Sequence, residues 1–161
     1  MPNRKRDVFV KIVNGEPHID EIELLLKEYL SALGRDLSFQ NVAMEFYDLK
    51  SKYVPPNGRL ICAQTDDGDV IGCVAYHKHN DVRCEVKRLY VKPEYRKNKT
   101  GAKLVEEIIR LAANDGYKEM VLDTIKPLES AIYLYKKFGF TETEAYYNNP
   151  MPDVVYMKKE L

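Results

Sequence analysis

The junction Leu89-Tyr90-Val91-Lys92-Pro93-Glu94-Tyr95-Arg96-Lys97-Asn98-Lys99-Thr100-Gly101-Ala102-Lys103-Leu104 carries the residues best suited to bind something. An apolar strand stops at a proline, a short polar loop follows, and a helix begins near Thr100 or Gly101. The first turn of a helix leaves backbone N–H groups unpaired and carries partial positive charge, which together make an anion site. Arg96, Lys97, Lys99 and Lys103 surround that turn in a chain whose Lys+Arg and Asp+Glu both total 25. Gly101 removes a side chain where a phosphate would approach the backbone. The ligand that fits is a phosphate or pyrophosphate. A solvated, lysine-rich turn has the same composition and is the bland alternative.

Two other groupings are weaker. His77 and His79 alternate on one face of a strand, with Cys84 across the turn, but the usual four-ligand spacing is absent and no metal is expected. Cys62, Cys73 and Cys84 are an odd number without a CxxC pair. Each lies in a strand-like run and reads as a small apolar side chain in a reducing compartment.

The elements that must position these residues follow from periodicity. Val8 to Val13 reads as a first strand. Ile19, Ile22, Leu25, Leu26, Tyr29, Leu30 and Leu33 recur at helical spacing, and Gly34 ends that helix. Asp36 or Ser38 can cap a second helix running through Val42, Phe46 and Leu49, which the turn cluster Pro55 to Gly58 closes. Leu60 to Gln64 and Val70 to His77 are strands joined at Asp67-Gly68, and Asn80-Asp81 turns into Arg83 to Val91. An amphipathic helix built on Leu104, Val105, Ile108, Ile109, Leu111 and Ala112 ends before Gly116. A strand over Glu119 to Asp123, a helix over Leu128 to Phe138, and strands around Thr143–Tyr147 and Val154–Lys158 complete the order βααβββαβαββ. The fold class is α/β: a mixed, mostly antiparallel sheet flanked by helices, with a parallel crossover around Leu104 to Ala112.

At 161 residues, with no internal repeat or linker, the chain reads as a single domain spanning 1–161. The balanced charge supplies no global field toward nucleic acid or membrane. No apolar run reaches the ~18 residues of a membrane span, and no apolar signal region follows the N-terminus, so the expected compartment is the cytoplasm. Exposed strand edges in the tail are compatible with a homodimer.

The pattern V-x-P-x-x-R-x-x-x-x-G-x-x-L from Val91 to Leu104 resembles the acetyl-CoA-binding signature of the GNAT N-acetyltransferase superfamily. The run Ala131-Ile132-Tyr133-Leu134-Tyr135-Lys136-Lys137-Phe138-Gly139-Phe140 resembles that superfamily's second signature, A-x-x-[FL]-Y-x-x-x-G-F. The two lie in the expected order, and the resemblance covers essentially the whole chain. It implies a GNAT-like domain that transfers an acetyl group from acetyl-CoA to a primary amine of a small molecule by direct attack. The alternatives are a non-catalytic acyl-CoA-binding or sensor module and an enzyme acetylating protein amino groups.

The resemblance further implies that backbone groups of Leu89, Tyr90 and Val91 pair with the pantetheine arm, and that two central strands splay apart to admit it. Amides of Arg96, Lys97, Asn98, Lys99, Thr100, Gly101 and Ala102 would cradle the pyrophosphate. Two positions depart from the pattern: Lys99 stands where the first glycine of R-x-x-G-x-G is usual, and Leu128 where an asparagine is frequent. A Cβ at Lys99 opposes a left-handed backbone, and Asn98 is the neighbour best able to accept one.

Acyl transfer to an amine needs a neutral nucleophile, a stabilised oxyanion and a proton for the departing thiolate. The second signature assigns that last role to Tyr135; otherwise Tyr135 is a core aromatic. Glu85, on the strand before the cofactor loop, is the base candidate, receiving the proton directly or through water. Its alternative is a solvent-facing residue paired with Lys87 or Arg83. Backbone N–H groups at Leu89 to Val91 are the natural oxyanion donors. Tyr146, Tyr147, Asn148, Asn149, Pro150, Met151 and Pro152 form a loop that either walls the acceptor pocket, opposite Gly34–Phe39, or plugs the end of the sheet.

Overall fold

The computed structural model describes residues 9–35 and 49–161. Strand β1 covers Val10–Asn14, and a 3₁₀ turn leads into helix α1, Ile19–Leu33. Gly34 ends α1 in a left-handed conformation (φ 62°), its N–H returning to the Leu30 carbonyl, as a C′ glycine does. The expected second helix falls mostly outside the described residues; its described part is α2, Leu49–Tyr53. Three long strands follow: β2 (Gly58–Thr65), β3 (Val70–Lys78) and β4 (Arg83–Val91). Then come a 3₁₀ segment, Pro93–Asn98, helix α3 (Thr100–Asn114), strand β5 (Glu119–Ile125), helix α4 (Glu129–Lys137), a two-residue strand β6 (Thr141–Glu142) and β7 (Val154–Glu160).

These strands form one seven-stranded sheet in the order β1-β2-β3-β4-β5-β7-β6. Among the described residues β4 and β5 are the parallel pair, across the α3 crossover, and the other neighbours run antiparallel. The expected mixed, mostly antiparallel sheet flanked by helices is therefore present.

Both faces of the sheet are covered. Leu104, Val105, Ile108 and Ala112 of α3 bury against Ile71, Val74, Val86 and Met120. On the other face Ile22, Leu25 and Leu26 of α1, with Leu49 and Tyr53, bury against Leu60, Cys62, Cys73 and Tyr90. Each Leu, Ile, Val or Met among them contributes about 1.5–3 kcal/mol by leaving water. All three cysteines are buried free thiols, and burial pushes each of them up to about 12. They are packing residues.

Two irregularities shape the centre of the sheet. In the β3–β4 ladder Cys73 pairs with Tyr90 but Ala75 pairs with Lys87, so Arg88 and Leu89 together oppose Val74. The extra residue is a β-bulge, and Arg88 takes φ 62° to make it. Its consequence is a change of parity: Lys87 and Tyr90, three apart, face the same side of the sheet. The second irregularity is a parting of strands. β4 and β5 pair only at Arg83–Glu119, Cys84–Met120 and Glu85–Val121. Beyond that point β4 stays with β3 as far as Val91, while β5 stays with β7 as far as Ile125.

The end of the chain departs from the strand expected around Thr143–Tyr147. Strand β6 stops at Glu142, and residues 143–153 form a loop. In a strand, Tyr146 and Tyr147 would lie on opposite faces. Here both hydroxyls donate to carboxylates on the same face, Tyr146 to Glu85 and Tyr147 to Asp123. Those hydrogen bonds override the local strand pattern.

Candidate active site

The parted strands open a cleft whose walls include Val86, Leu89, Thr124, Leu128, Ala131 and Tyr135. Tyr135 comes from α4, is 6% exposed, and packs edge-on to Phe140 with ring centroids 5.6 Å apart. Burial raises its phenol above the ordinary value, so the group keeps its proton across the neutral range. The sequence offered acid or core aromatic for Tyr135; geometrically it is a buried aromatic that also lines the cleft.

A second cleft adjoins the first. Lys52, His77, His79, Glu85, Tyr146 and Tyr147 line it, and Lys87 and Arg88 belong to both. At its base sits Glu85, 4% exposed. His77 Nε2 lies 2.7 Å from Glu85 Oε1, Tyr146 donates its hydroxyl to Oε2, and Lys87 Nζ is 3.5 Å from Oε2. Burial opposes the carboxylate's charge, but the His77 hydrogen bond, Lys87 and Tyr146 together outweigh it and hold Glu85 at about 2. Burial and the adjacent carboxylate both raise Tyr146. Glu85 is thus an ionised, enclosed group rather than the solvent-facing residue of the alternative reading. Its Lys87 contact does exist, whereas Arg83 pairs with Glu119 at 2.6 Å.

A matching carboxylate stands beside it. Asp123 receives the hydroxyl of Tyr147 and the Asn149 side-chain amide at 2.8 Å, and Lys87 Nζ lies 3.5 Å from its Oδ1. The loop is fixed internally as well. Tyr156 donates its hydroxyl to the Tyr147 carbonyl at 2.7 Å and accepts the Asn149 N–H at 3.0 Å. At its far end Arg35 grips Asp153 with two hydrogen bonds of 2.9 Å. Of the wall expected at Gly34–Phe39, only Gly34 and Arg35 fall within the described residues, and Arg35 joins this loop.

The helix N-terminus has its own geometry. Lys99 is the N-cap of α3 and adopts φ 59°, ψ 18°. The left-handed backbone therefore falls on Lys99 itself. The expectation that Asn98 would absorb it is corrected: Asn98 ends the preceding 3₁₀ segment. Such a conformation costs a non-glycine residue about 1–2 kcal/mol. Thr100, the first residue of α3, is fully buried, and its hydroxyl has no hydrogen-bond partner among the described residues. Gly101 has a packing role beyond the one expected: a Cβ there would come within 3.0 Å of Leu134 Cδ1 on α4. Arg96 folds back, its Nε donating to the Val91 carbonyl at 3.0 Å and its guanidinium lying 5.6 Å from the Tyr90 ring. Leu89, Tyr90 and Val91 lie beyond the last β4–β5 pair, and Leu89 lines the cleft.

His77 and Cys84 do not converge. The Cys84 thiol packs in the core beneath α3 while His77 faces Glu85, and among the described residues no group of three potential metal ligands comes together. Sequence reasoning passed over Asp123 altogether. Its signal was present, because Asp123 is two residues from Val121, the partner of Glu85, but reading it needed the parallel register.

The chain belongs to the acetyltransferase (GNAT) family, whose model matches residues 20–140. It is 45% identical over 156 residues to an uncharacterized N-acetyltransferase of Schizosaccharomyces pombe, covering 96% of each chain. Its fold is similar to that of a GNAT-family acetyltransferase from Staphylococcus aureus, with TM-score 0.79, 18% identity, and 94% and 99% of the two chains covered. It is also similar to an aminoglycoside 6′-N-acetyltransferase solved in complex with coenzyme A, at TM-score 0.70 and 16% identity, covering 93% and 96%.

Proposed function

We propose that this protein is an acetyl-CoA-dependent N-acetyltransferase that acetylates a primary amine of a small molecule by direct attack. The observation that carries the reading is the parting of β4 from β5 after Glu85 and Val121, which opens a cleft lined by the buried Tyr135. Support for a coenzyme A site comes from the adjoining start of α3. There the unpaired amides of a first helical turn meet a buried Thr100 hydroxyl that has no partner among the described residues. The complex of the aminoglycoside 6′-N-acetyltransferase with coenzyme A supports the same ligand class.

Acetyl-CoA supplies the acyl carbonyl and a thiol leaving group. In this reading the backbone of Leu89 to Val91 pairs with the pantetheine arm and offers N–H groups to the developing oxyanion. Amides from Arg96 through Ala102, across the end of the 3₁₀ segment and the start of α3, hold the pyrophosphate. Tyr135, kept protonated by its burial, gives a proton to the departing sulfur. Glu85, held ionised beside the second cleft, is the negative charge toward which the acceptor's proton moves. A free alkylamine has a pKa near ~10.4 and must lose that proton to attack.

The test is thiol release from acetyl-CoA against pooled alkylamines, polyamines, amino acids, aminoglycosides and peptides. Release with a small amine, falling about 100-fold or more in Tyr135→Phe, is the expected result. Calorimetric binding of coenzyme A with no release in any pool would overturn the enzyme reading in favour of the sensor. Release confined to peptides would move the acceptor to protein.

A further inference from the structure

His77 is the second group at the second cleft, where the acceptor amine would sit in this reading, that chemistry can use, and neither signature includes it. It sits near the end of β3, directly opposite Glu85 of β4 in the antiparallel ladder. Its Nε2 is 2.7 Å from Glu85 Oε1, and its side chain is 20% exposed against 5% for the carboxylate. Glu85 is enclosed, with Oε1 committed to His77 and Oε2 to Tyr146 and Lys87. An ionised carboxylate is acceptor-only. In the neutral imidazole Nε2 therefore carries the hydrogen of this contact, and Nδ1 keeps the lone pair. The imidazole, not the carboxylate, is the more accessible base of the pair.

We propose that His77 is the catalytic proton acceptor for the acceptor amine, and that Glu85 is a positioning residue that fixes the His77 tautomer and stabilises the imidazolium. This rests on the acetyltransferase reading and refines the base within it. The logic is that of any base oriented by a carboxylate behind it. As the acceptor nitrogen bonds to the acyl carbon and the C–S bond breaks, the nitrogen's N–H bond breaks. Its electron pair stays on nitrogen, and the proton passes to Nδ1. The imidazolium then loses that proton to solvent, matching the proton that Tyr135 gives to sulfur and regains from solvent. The charged and titratable groups around His77 in this cleft are Glu85, Lys87 and Arg88 from β4, His79 from just past its own strand, Tyr53 and Lys52 from α2, and Tyr146 and Tyr147 from the loop.

The experiment compares His77→Gln and Glu85→Gln using the amine from the panel that gives the fastest thiol release. Glutamine at 77 can still donate to Glu85 but cannot take a proton at neutral pH. Turnover by His77→Gln is expected to fall about 100-fold or more, with KM for acetyl-CoA within threefold, and the acidic limb of the kcat/KM profile should disappear. Glu85→Gln should retain measurable activity and keep an acidic limb, because the base itself is still in place. His77→Ala should regain activity on adding imidazole, which a merely structural role would not allow, and this arm decides the matter where His77→Gln does not fold. Activity of His77→Gln within threefold of wild type overturns the proposal. So does abolition by Glu85→Gln with the acidic limb intact in His77→Gln, which would make Glu85 the direct base. Absence of thiol release from the wild type with every amine would instead defeat the acetyltransferase reading, and this proposal with it.

Discussion

Glu85 and Val121 form the last pair between the parallel strands β4 and β5. The separation beyond them is made by specific residues. Arg88 breaks the β3–β4 register with a left-handed backbone, and the far side of the opening is lined by Ala131 and Tyr135 of α4. A small residue at 131 keeps the cleft wide. Ala131→Leu is expected to raise KM for acetyl-CoA at least tenfold while shifting Tm by only a few degrees, as steady-state kinetics and a thermal melt would read. An unchanged KM would mean that the donor lies elsewhere.

Lys99 holds a left-handed conformation that glycine would adopt without strain. Relief of that strain competes with the extra freedom glycine brings to the unfolded chain, about 0.5–1 kcal/mol. Lys99→Gly should therefore be neutral or stabilising by up to about 1 kcal/mol, and Lys99→Val destabilising by about 1–2 kcal/mol. Urea denaturation of the three proteins measures both.

Glu85 carries a pH dependence. Its folded-state value of about 2 lies below the ordinary 4.5. The stability it contributes is therefore present above 4.5 and disappears as pH falls toward 2. Melts of wild type and Glu85→Gln between about pH 6 and pH 3 should show the wild type losing stability more steeply, with a difference on the order of 3 kcal/mol at most. Parallel curves would mean that the carboxylate is not held ionised by His77, Tyr146 and Lys87.

Arg35 fastens the 143–153 loop through Asp153 from the end of α1. That loop supplies Tyr146 and Tyr147 to the second cleft and Asn149 and Met151 to the first. Arg35→Ala should raise KM for the amine and KM for acetyl-CoA several-fold each, because the loop borders both clefts. Unchanged KM values for both substrates would show that the loop keeps its place without the Arg35–Asp153 contact.

Much of this was legible in the sequence because it is local. Gly34 announced the end of α1, Asp67-Gly68 the β2–β3 turn, and the Val91–Leu104 junction the strand, loop and helix start that the structure contains. Tyr135 followed from a family signature. The second cleft was less visible, because it depends on long-range register. His77 and Asp123 reach Glu85 and Lys87 only through the β3–β4 and β4–β5 pairings, and a bulge at Arg88 cannot be read from a residue that normally avoids positive φ. Tyr146 and Tyr147 look like a strand until their carboxylate partners are known. Lys99 failed in the opposite direction: local propensity favoured Asn98 for the left-handed position, and the cap of α3 placed it one residue later.

The central claim is that coenzyme A lies in the β4–β5 cleft with its pyrophosphate on the first turn of α3. Amide hydrogen exchange with and without saturating acetyl-CoA tests it most directly. Slowed exchange over residues 89–91 and 99–102 is the predicted result. Saturable binding that leaves both segments unchanged, with protection only elsewhere in the chain, would contradict it.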